Sequence, residues 1–252
     1  MNSLLKIFDL YTIRARLLPA LIAAIPIIAL IATFLDINKY ILANTALAFI
    51  ALLILIPLLG KISRSQGQKV EKRVLKKWKV LPTTRYLRHL DETYSTTKKN
   101  RLHKILAEKT LLQLPNRDEE SIEPEKADEI YVEAVSWLRE NTRDPKFVIL
   151  LNENIAYGMY RNLLGLKPIA IILSILPLVV FSIIFLLNYP DISNINLVEL
   201  IAFLEKIRLA YWVTTFISIC STILWVSYIN ESGLEKAANK YADTLFKQID
   251  AL

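Results

Sequence analysis

A run of basic side chains, KVEKRVLKKWKV at residues 69–80, is the part of this chain whose composition most clearly indicates chemistry. Lysine and arginine neutralise phosphate groups, and an aromatic ring such as that of Trp78 can stack on a nucleobase. Val70, Val74 and Trp78 recur every four residues, which predicts an amphipathic helix with the cations on its remaining surface. The pattern therefore indicates a surface that binds phosphate-bearing molecules.

The basic character continues beyond this helix. Residues 61–109 contain fifteen Lys or Arg and four Asp or Glu, a local net charge of +11, whereas the net charge of the whole chain is +7. After a break predicted at LPTT, the cations alternate with tyrosine and histidine, an arrangement that favours single-stranded nucleic acid or a nucleotide second messenger. The candidate ligand-binding residues are Lys69, Lys72, Arg73, Lys76, Lys77, Trp78, Arg85, Arg88, Lys98, Lys99 and Arg101. The alternative is a lipid and structural role, with the cations against anionic headgroups.

Enzymatic motifs are absent from the sequence. It has no Walker A loop, dinucleotide fingerprint, HExxH or GxSxG. His89 and His103 are fourteen residues apart and have no metal-ligand partners at the usual spacing, so we expect ordinary surface histidines. The sequence predicts no catalytic residue, no metal and no cofactor.

Four apolar runs indicate the elements that position the basic segment at a lipid bilayer. They cover residues 17–35, 40–60, 168–189 and 209–229, contain no Asp, Glu, Lys, Arg or His, and account for much of the 54% hydrophobic composition. Each is close to the ~20 residues that a helix needs to cross a membrane. A cleavable signal peptide is the alternative for the first run, but typical signal cores have only ~7–15 apolar residues. We therefore predict four transmembrane helices.

The predicted fold is an all-α integral membrane protein in which two transmembrane hairpins flank a mainly helical cytoplasmic domain. Its segments are 1–60 (N-terminal segment and first hairpin), 61–167 (basic ligand-binding domain), 168–230 (second hairpin) and 231–252 (amphipathic helix). Basic residues before the first span and after the second predict that both termini and the central domain face the cytoplasm. The acidic stretch 118–129 is expected to be a solvated connector.

Two patterns suggest association between subunits, and each has an alternative. Thr214, Ser218 and Ser221 lie on one face of the fourth span, where they could line a pore around an oligomer axis or simply let helices pack closely. Apolar residues from Leu234 to Leu252 follow a heptad-like spacing that fits either a short coiled coil or a helix packed on the central domain. Because the spans lack midplane charges, conduction would require several subunits, with a tetramer favoured.

Several stretches together resemble a known group of proteins. These are YTIRARLLP before the first span, EKRVLKKWKVLPTTRYLRH after the second, and TRDPKF and ENIAYGMYRNLLGLKP before the third. They resemble the four-transmembrane effectors of bacterial anti-phage defence, most closely the membrane effector of the Hailong system. The resemblance implies a homo-oligomeric ion channel in the bacterial inner membrane, a partner nucleotidyltransferase whose DNA oligomers hold the effector inactive, and depolarisation upon infection. The alternative function is a non-conducting scaffold that recruits a partner or anionic lipids through the basic domain.

Overall fold

A computed structural model describes residues 10–34, 45–189 and 196–252. Within these ranges the chain is helical and contains no strand, which confirms the all-α prediction for the described part. The α-helices are α1 Leu18–Phe34, α2 Thr45–Trp78, α3 Pro82–Arg85, α4 Thr96–Thr110, α5 Arg117–Ile122, α6 Pro124–Asn141, α7 Val148–Asn188, α8 Leu197–Glu205, α9 Leu209–Ile223 and α10 Glu231–Lys247. Two π-helical turns, Thr12–Leu17 and Leu224–Tyr228, extend α1 and α9, and a 3₁₀ turn, Gln248–Ala251, follows α10.

Among the described residues, three helical segments are long and apolar enough to cross a membrane. They are Thr12–Phe34, Val148–Asn188 and Leu209–Tyr228, and they contain most of the predicted first, third and fourth spans. The predicted second span, 40–60, lies partly outside the described residues, although its part from residue 45 onward is helical. The length and composition of these segments are compatible with a membrane protein.

The chain divides into two compact units. The first unit comprises Met1–Gln68 and Asn162–Asn230, and the second comprises Lys69–Arg161 and Glu231–Leu252. The second unit thus combines most of the predicted central domain with the predicted C-terminal helix. The helices α2 and α7 each contribute residues to both units.

Helix packing in the first unit depends on small residues and hydroxyl groups. A Cβ atom added at Gly165 of α7 would lie 2.5 Å from the carbonyl carbon of Gln66 in α2, so these two backbones approach as closely as glycine allows. The Thr33 and Thr214 hydroxyl oxygens, from α1 and α9, are 2.9 Å apart. Such contacts are typical of helices packed in lipid, where small residues permit close approach and polar side chains pair across the interface.

Two polar side chains of α7 bind backbone carbonyls near the π-helical turns. The Asn162 amide, which is fully buried, donates a 2.5 Å hydrogen bond to the carbonyl of Ala15. The Lys167 ammonium donates to the carbonyls of Val226 and Ile229, at 3.1 and 2.6 Å. Because a π-helical turn or a helix end leaves carbonyls without their usual partners, these bonds stabilise both irregular segments.

The second unit is built around a hydrophobic core from the segment after α3, from α4, α6 and α10, and from the start of α7. Tyr131, Leu138, Leu106 and Leu245 are completely buried there. Leu245 belongs to α10, whose apolar face is therefore covered within the protomer. Of the two alternatives for the C-terminal segment, packing on the central domain is the one observed.

The acidic stretch was expected to be a connector, but it is largely helical. Asn116 accepts hydrogen bonds from the backbone N–H groups of Asp118 and Glu119, and the Glu119 carboxylate accepts one from the Asn116 N–H, which forms a capping box. Acidic residues in the first turn also stabilise the helix, because the N-terminal end of the helix dipole is positive. Helix α5 therefore starts where charge alone suggested a loop.

Candidate nucleic-acid interface

The end of α2 presents a basic face to solvent. Val70 and Val74 are 6% and 2% exposed and fix which side of the helix is buried. Lys69, Lys72 and Lys76, spaced three, four and seven residues apart, are all exposed on another side. Burial of the two valines therefore orients the lysine side chains, as the sequence pattern predicts.

The cations of this face differ in their partners. Arg73 and Lys77 both lie near the Glu231 carboxylate, at 3.6 and 3.0 Å, and both are mostly exposed, so solvent screens these pairs. Within residues 10–34, 45–189 and 196–252, Lys69, Lys72 and Lys76 have no acidic partner. The face therefore has three uncompensated charges and two that a phosphate could take over from Glu231.

Trp78 ends α2 and is only partly buried. Lys79 follows with φ of 65°, in the left-handed region that non-glycine residues seldom adopt, and the chain turns there toward α3. Leu81 is the N-cap of α3, and no side chain caps this helix. The turn sets the end of the basic face.

The remaining predicted cations are paired within the second unit. Arg88 Nε donates to the Asp128 carboxylate at 2.7 Å, and this hydrogen bond raises the Arg88 pKa above its ordinary value. Arg85 donates to Asn239 Oδ1 at 3.1 Å and lies 3.6 Å from Asp91 Oδ2. Lys98 and Arg101 form ion pairs with Asp243 and Asp250 of the C-terminal segment. Arg85 and Arg88 are mostly buried and connect parts of the second unit, whereas the Arg101–Asp250 pair is mostly exposed and solvent screens it.

Lys99 is the most deeply buried cation of the predicted set. It is 4% exposed, and its ammonium group donates to the backbone carbonyls of His89 and Asp91. A ligand could reach this group only after these hydrogen bonds break. In this conformation Lys99 connects α4 to the segment that follows α3.

The aromatic side chains that alternate with these cations also belong to the core. Tyr86 and Tyr94 are buried and pack edge to face with ring centroids 5.1 Å apart. The Tyr94 hydroxyl donates to Asp243 at 2.8 Å. Their ring faces are therefore unavailable for stacking on a base. The predicted ligand-binding cations thus fall into two groups, the exposed ones of Lys69–Lys77 and those that have partners within the second unit.

The two histidines, both partly buried, belong to a polar network that sequence reasoning missed. Their rings are 4.8 Å apart, and His103 Nε2 lies 2.7 Å from the carbonyl of Leu87. The nearby Glu120 carboxylate is 3% exposed and accepts hydrogen bonds from the His89 N–H and the Tyr131 hydroxyl, both at 2.8 Å. Burial lowers the pKa of His103, so its imidazole is neutral near pH 7. No local sequence pattern indicates this network, because its members come from α4, α5, α6 and the segment after α3.

The predicted pore-lining residues make contacts inside the first unit. Thr214 and Ser218 are buried, and Thr214 also donates to the carbonyl of Ala29 at 3.3 Å. The Ser221 and Ser174 hydroxyl oxygens are 2.8 Å apart. The hydroxyls of Thr214 and Ser221 are thus engaged between helices of one protomer, and pore lining by any of these residues stays a prediction.

In the described part of the chain, no group of three His, Cys, Asp or Glu side chains is placed to hold a metal ion. Comparisons with protein-family models, curated proteins and solved structures find no match to this chain.

Proposed function

We propose that this chain is an inner-membrane effector of bacterial anti-phage defence. In this proposal four spans form two hairpins, both termini are cytoplasmic, and several copies, with a tetramer favoured, surround an ion-conducting axis. A nucleic-acid or nucleotide ligand on the basic face of α2 controls conduction. A partner nucleotidyltransferase supplies the ligand, and opening depolarises the cell and arrests growth.

One observation carries the ligand proposal: Lys69, Lys72 and Lys76 form an exposed row without an acidic partner in the described chain. Structural cations in this protein have carboxylates or carbonyls beside them, as Arg88 and Lys99 do. A row of side chains that repel one another at helical spacing has no stabilising role in the fold by itself. It is therefore suited to an external anion with repeated charges, such as an oligonucleotide.

Continuity of α2 supports the link between ligand and conduction. The helix contains residues 45–60 of the predicted second span as well as the basic face. A ligand that binds one arrangement of these helices more tightly than another shifts the equilibrium by its differential affinity. A polyanion on this face can thus hold a channel closed or open.

The test is ion flux through the purified protein in neutral-lipid liposomes, with and without short single-stranded DNA. The proposal predicts flux that DNA changes. Flux that DNA does not alter would support the channel function and contradict the proposal that a nucleic acid is its ligand. Absence of flux in both conditions would favour the scaffold function, in which exposed cations dock anionic lipid or an acidic partner.

A further inference from the structure

A cavity of about 850 Å³ lies in the first unit. All of its lining residues come from residues 178–215 of the chain. Its wall comes from the end of α7, from α8 and the residues after it, and from the start of α9. This volume is within the range of roughly 300–1,000 Å³ that is typical of small-molecule sites. The cavity is therefore large enough to hold part of a lipid.

Paired aromatic rings make the wall of the cavity apolar. Phe181 packs against Tyr211 with centroids 4.7 Å apart, and Phe185 meets Phe203 edge to face at 5.4 Å. Each pair joins residues from two different helical segments. Since paired rings restrict one another, the wall is pre-organised for a hydrocarbon chain.

Two cations complete the lining. Lys206 and Arg208 both line the cavity and are both exposed. Neither has an acidic partner among the described residues, and the nearby carboxylates Glu199 and Glu205 do not line the cavity. An apolar wall with two cations beside it matches a molecule that has an apolar tail and an anionic head.

We propose that this cavity binds an anionic phospholipid, with an acyl chain against the aromatic wall and the headgroup phosphate against Lys206 and Arg208. The wall helices α7 and α9 are candidate membrane spans, so a bilayer supplies this ligand at high local concentration. A free oligonucleotide would have to bury the polar edges of its bases against this apolar wall. The site is independent of the proposed channel activity.

Native mass spectrometry of the full chain in mild detergent tests the proposal, with phosphatidylglycerol and phosphatidylcholine of identical acyl chains as probes. We expect one tightly bound phosphatidylglycerol per protomer. Lys206→Gln with Arg208→Gln should weaken the binding of phosphatidylglycerol about 25-fold. Each cation contributes a factor of about five to the binding constant, and the two factors multiply. The matched control, Lys61→Gln with Arg64→Gln, removes two exposed cations that do not line the cavity and should bind as the parent does.

A second variant tests the apolar part. Ser182→Trp places a bulky ring in the cavity and keeps both cations, so it should abolish binding of both lipids. Three results would overturn the proposal: unchanged phosphatidylglycerol binding in the double Gln variant, equal loss in the control pair, or competition by glycerol phosphate alone. If Ser182→Trp dissociates the oligomer but leaves lipid binding unchanged, the cavity holds a second copy of the chain. That result also overturns the proposal.

Discussion

Neutralising the unpaired lysines of α2 should weaken DNA binding and flatten its dependence on salt. The change is Lys69→Gln with Lys72→Gln and Lys76→Gln, which removes three of the five exposed cations on this face. For single strands the logarithm of the binding constant falls with the logarithm of salt concentration by about 0.7 for each neutralised phosphate. Five contacts give a slope of about −3.5, and the two that are left, Arg73 and Lys77, give about −1.4.

These slopes predict a large difference between the two proteins. From about 50 mM to about 200 mM salt, parent affinity should fall about 100-fold, and that of the triple variant only about sevenfold. Fluorescence anisotropy of a labelled oligonucleotide, with the protein in neutral-lipid nanodiscs, measures both slopes. Glutamine at exposed helix positions costs little helix propensity, so the fold should be retained.

A charge-matched variant provides the control. Lys104→Gln, Lys126→Gln and Lys146→Gln remove three exposed cations elsewhere in the second unit and change net charge equally. This protein should keep the parent slope. If both triple variants lose the same slope, binding follows net charge and not the α2 face; if neither does, DNA does not bind there.

Three further predictions concern the fold. Because burial depresses the pKa of His103, the folded protein holds this imidazole neutral while the unfolded chain protonates it near pH ~6.5. Stability is therefore full above that pH and falls as pH drops below it; melting temperatures from pH 7.5 to 5.5 should show this, and His103→Gln should reduce the slope, whereas an unchanged slope would contradict the reasoning. Gly165→Leu forces the backbones of α2 and α7 apart and should lower the stability of the first unit by about 1–3 kcal/mol in detergent melts; an unaltered melting temperature would mean that the helices do not meet there. Leu245→Ala empties a fully buried position and should cost about 2–5 kcal/mol without changing subunit number; dissociation of the oligomer with intact stability would instead favour the coiled coil.

Helix positions were largely predictable because their determinants are local. Charge-free runs of the right length predict the spans, and the helix that contains the third span continues through Pro168 and Pro177. The start of α4 follows from Ser95, which accepts the hydrogen bond of an N-cap from the Lys98 N–H. The helix α5 also had a local signal, the Asn116-to-Glu119 capping box, which the acidic composition obscured.

The division of the basic segment into free and paired cations could not be predicted from the sequence. Arg101 pairs with Asp250, and Lys98 pairs with Asp243, partners about 145 residues away in the chain. A local net charge counts such residues as uncompensated. Only the tertiary arrangement shows that Lys69, Lys72 and Lys76 have no acidic partner in the described chain, while Arg85, Arg88, Lys98, Lys99 and Arg101 have polar partners within the second unit.

Current recording across a planar neutral-lipid bilayer tests the central claim most directly, with single-stranded DNA added to one side at a time. The account predicts currents that DNA changes from one side only, and that the Lys69, Lys72 and Lys76 triple Gln variant no longer responds. The control triple variant should respond as the parent does. Currents that do not change when DNA is added to either side would contradict a nucleic-acid-gated channel. So would the absence of current from correctly folded protein both with and without DNA.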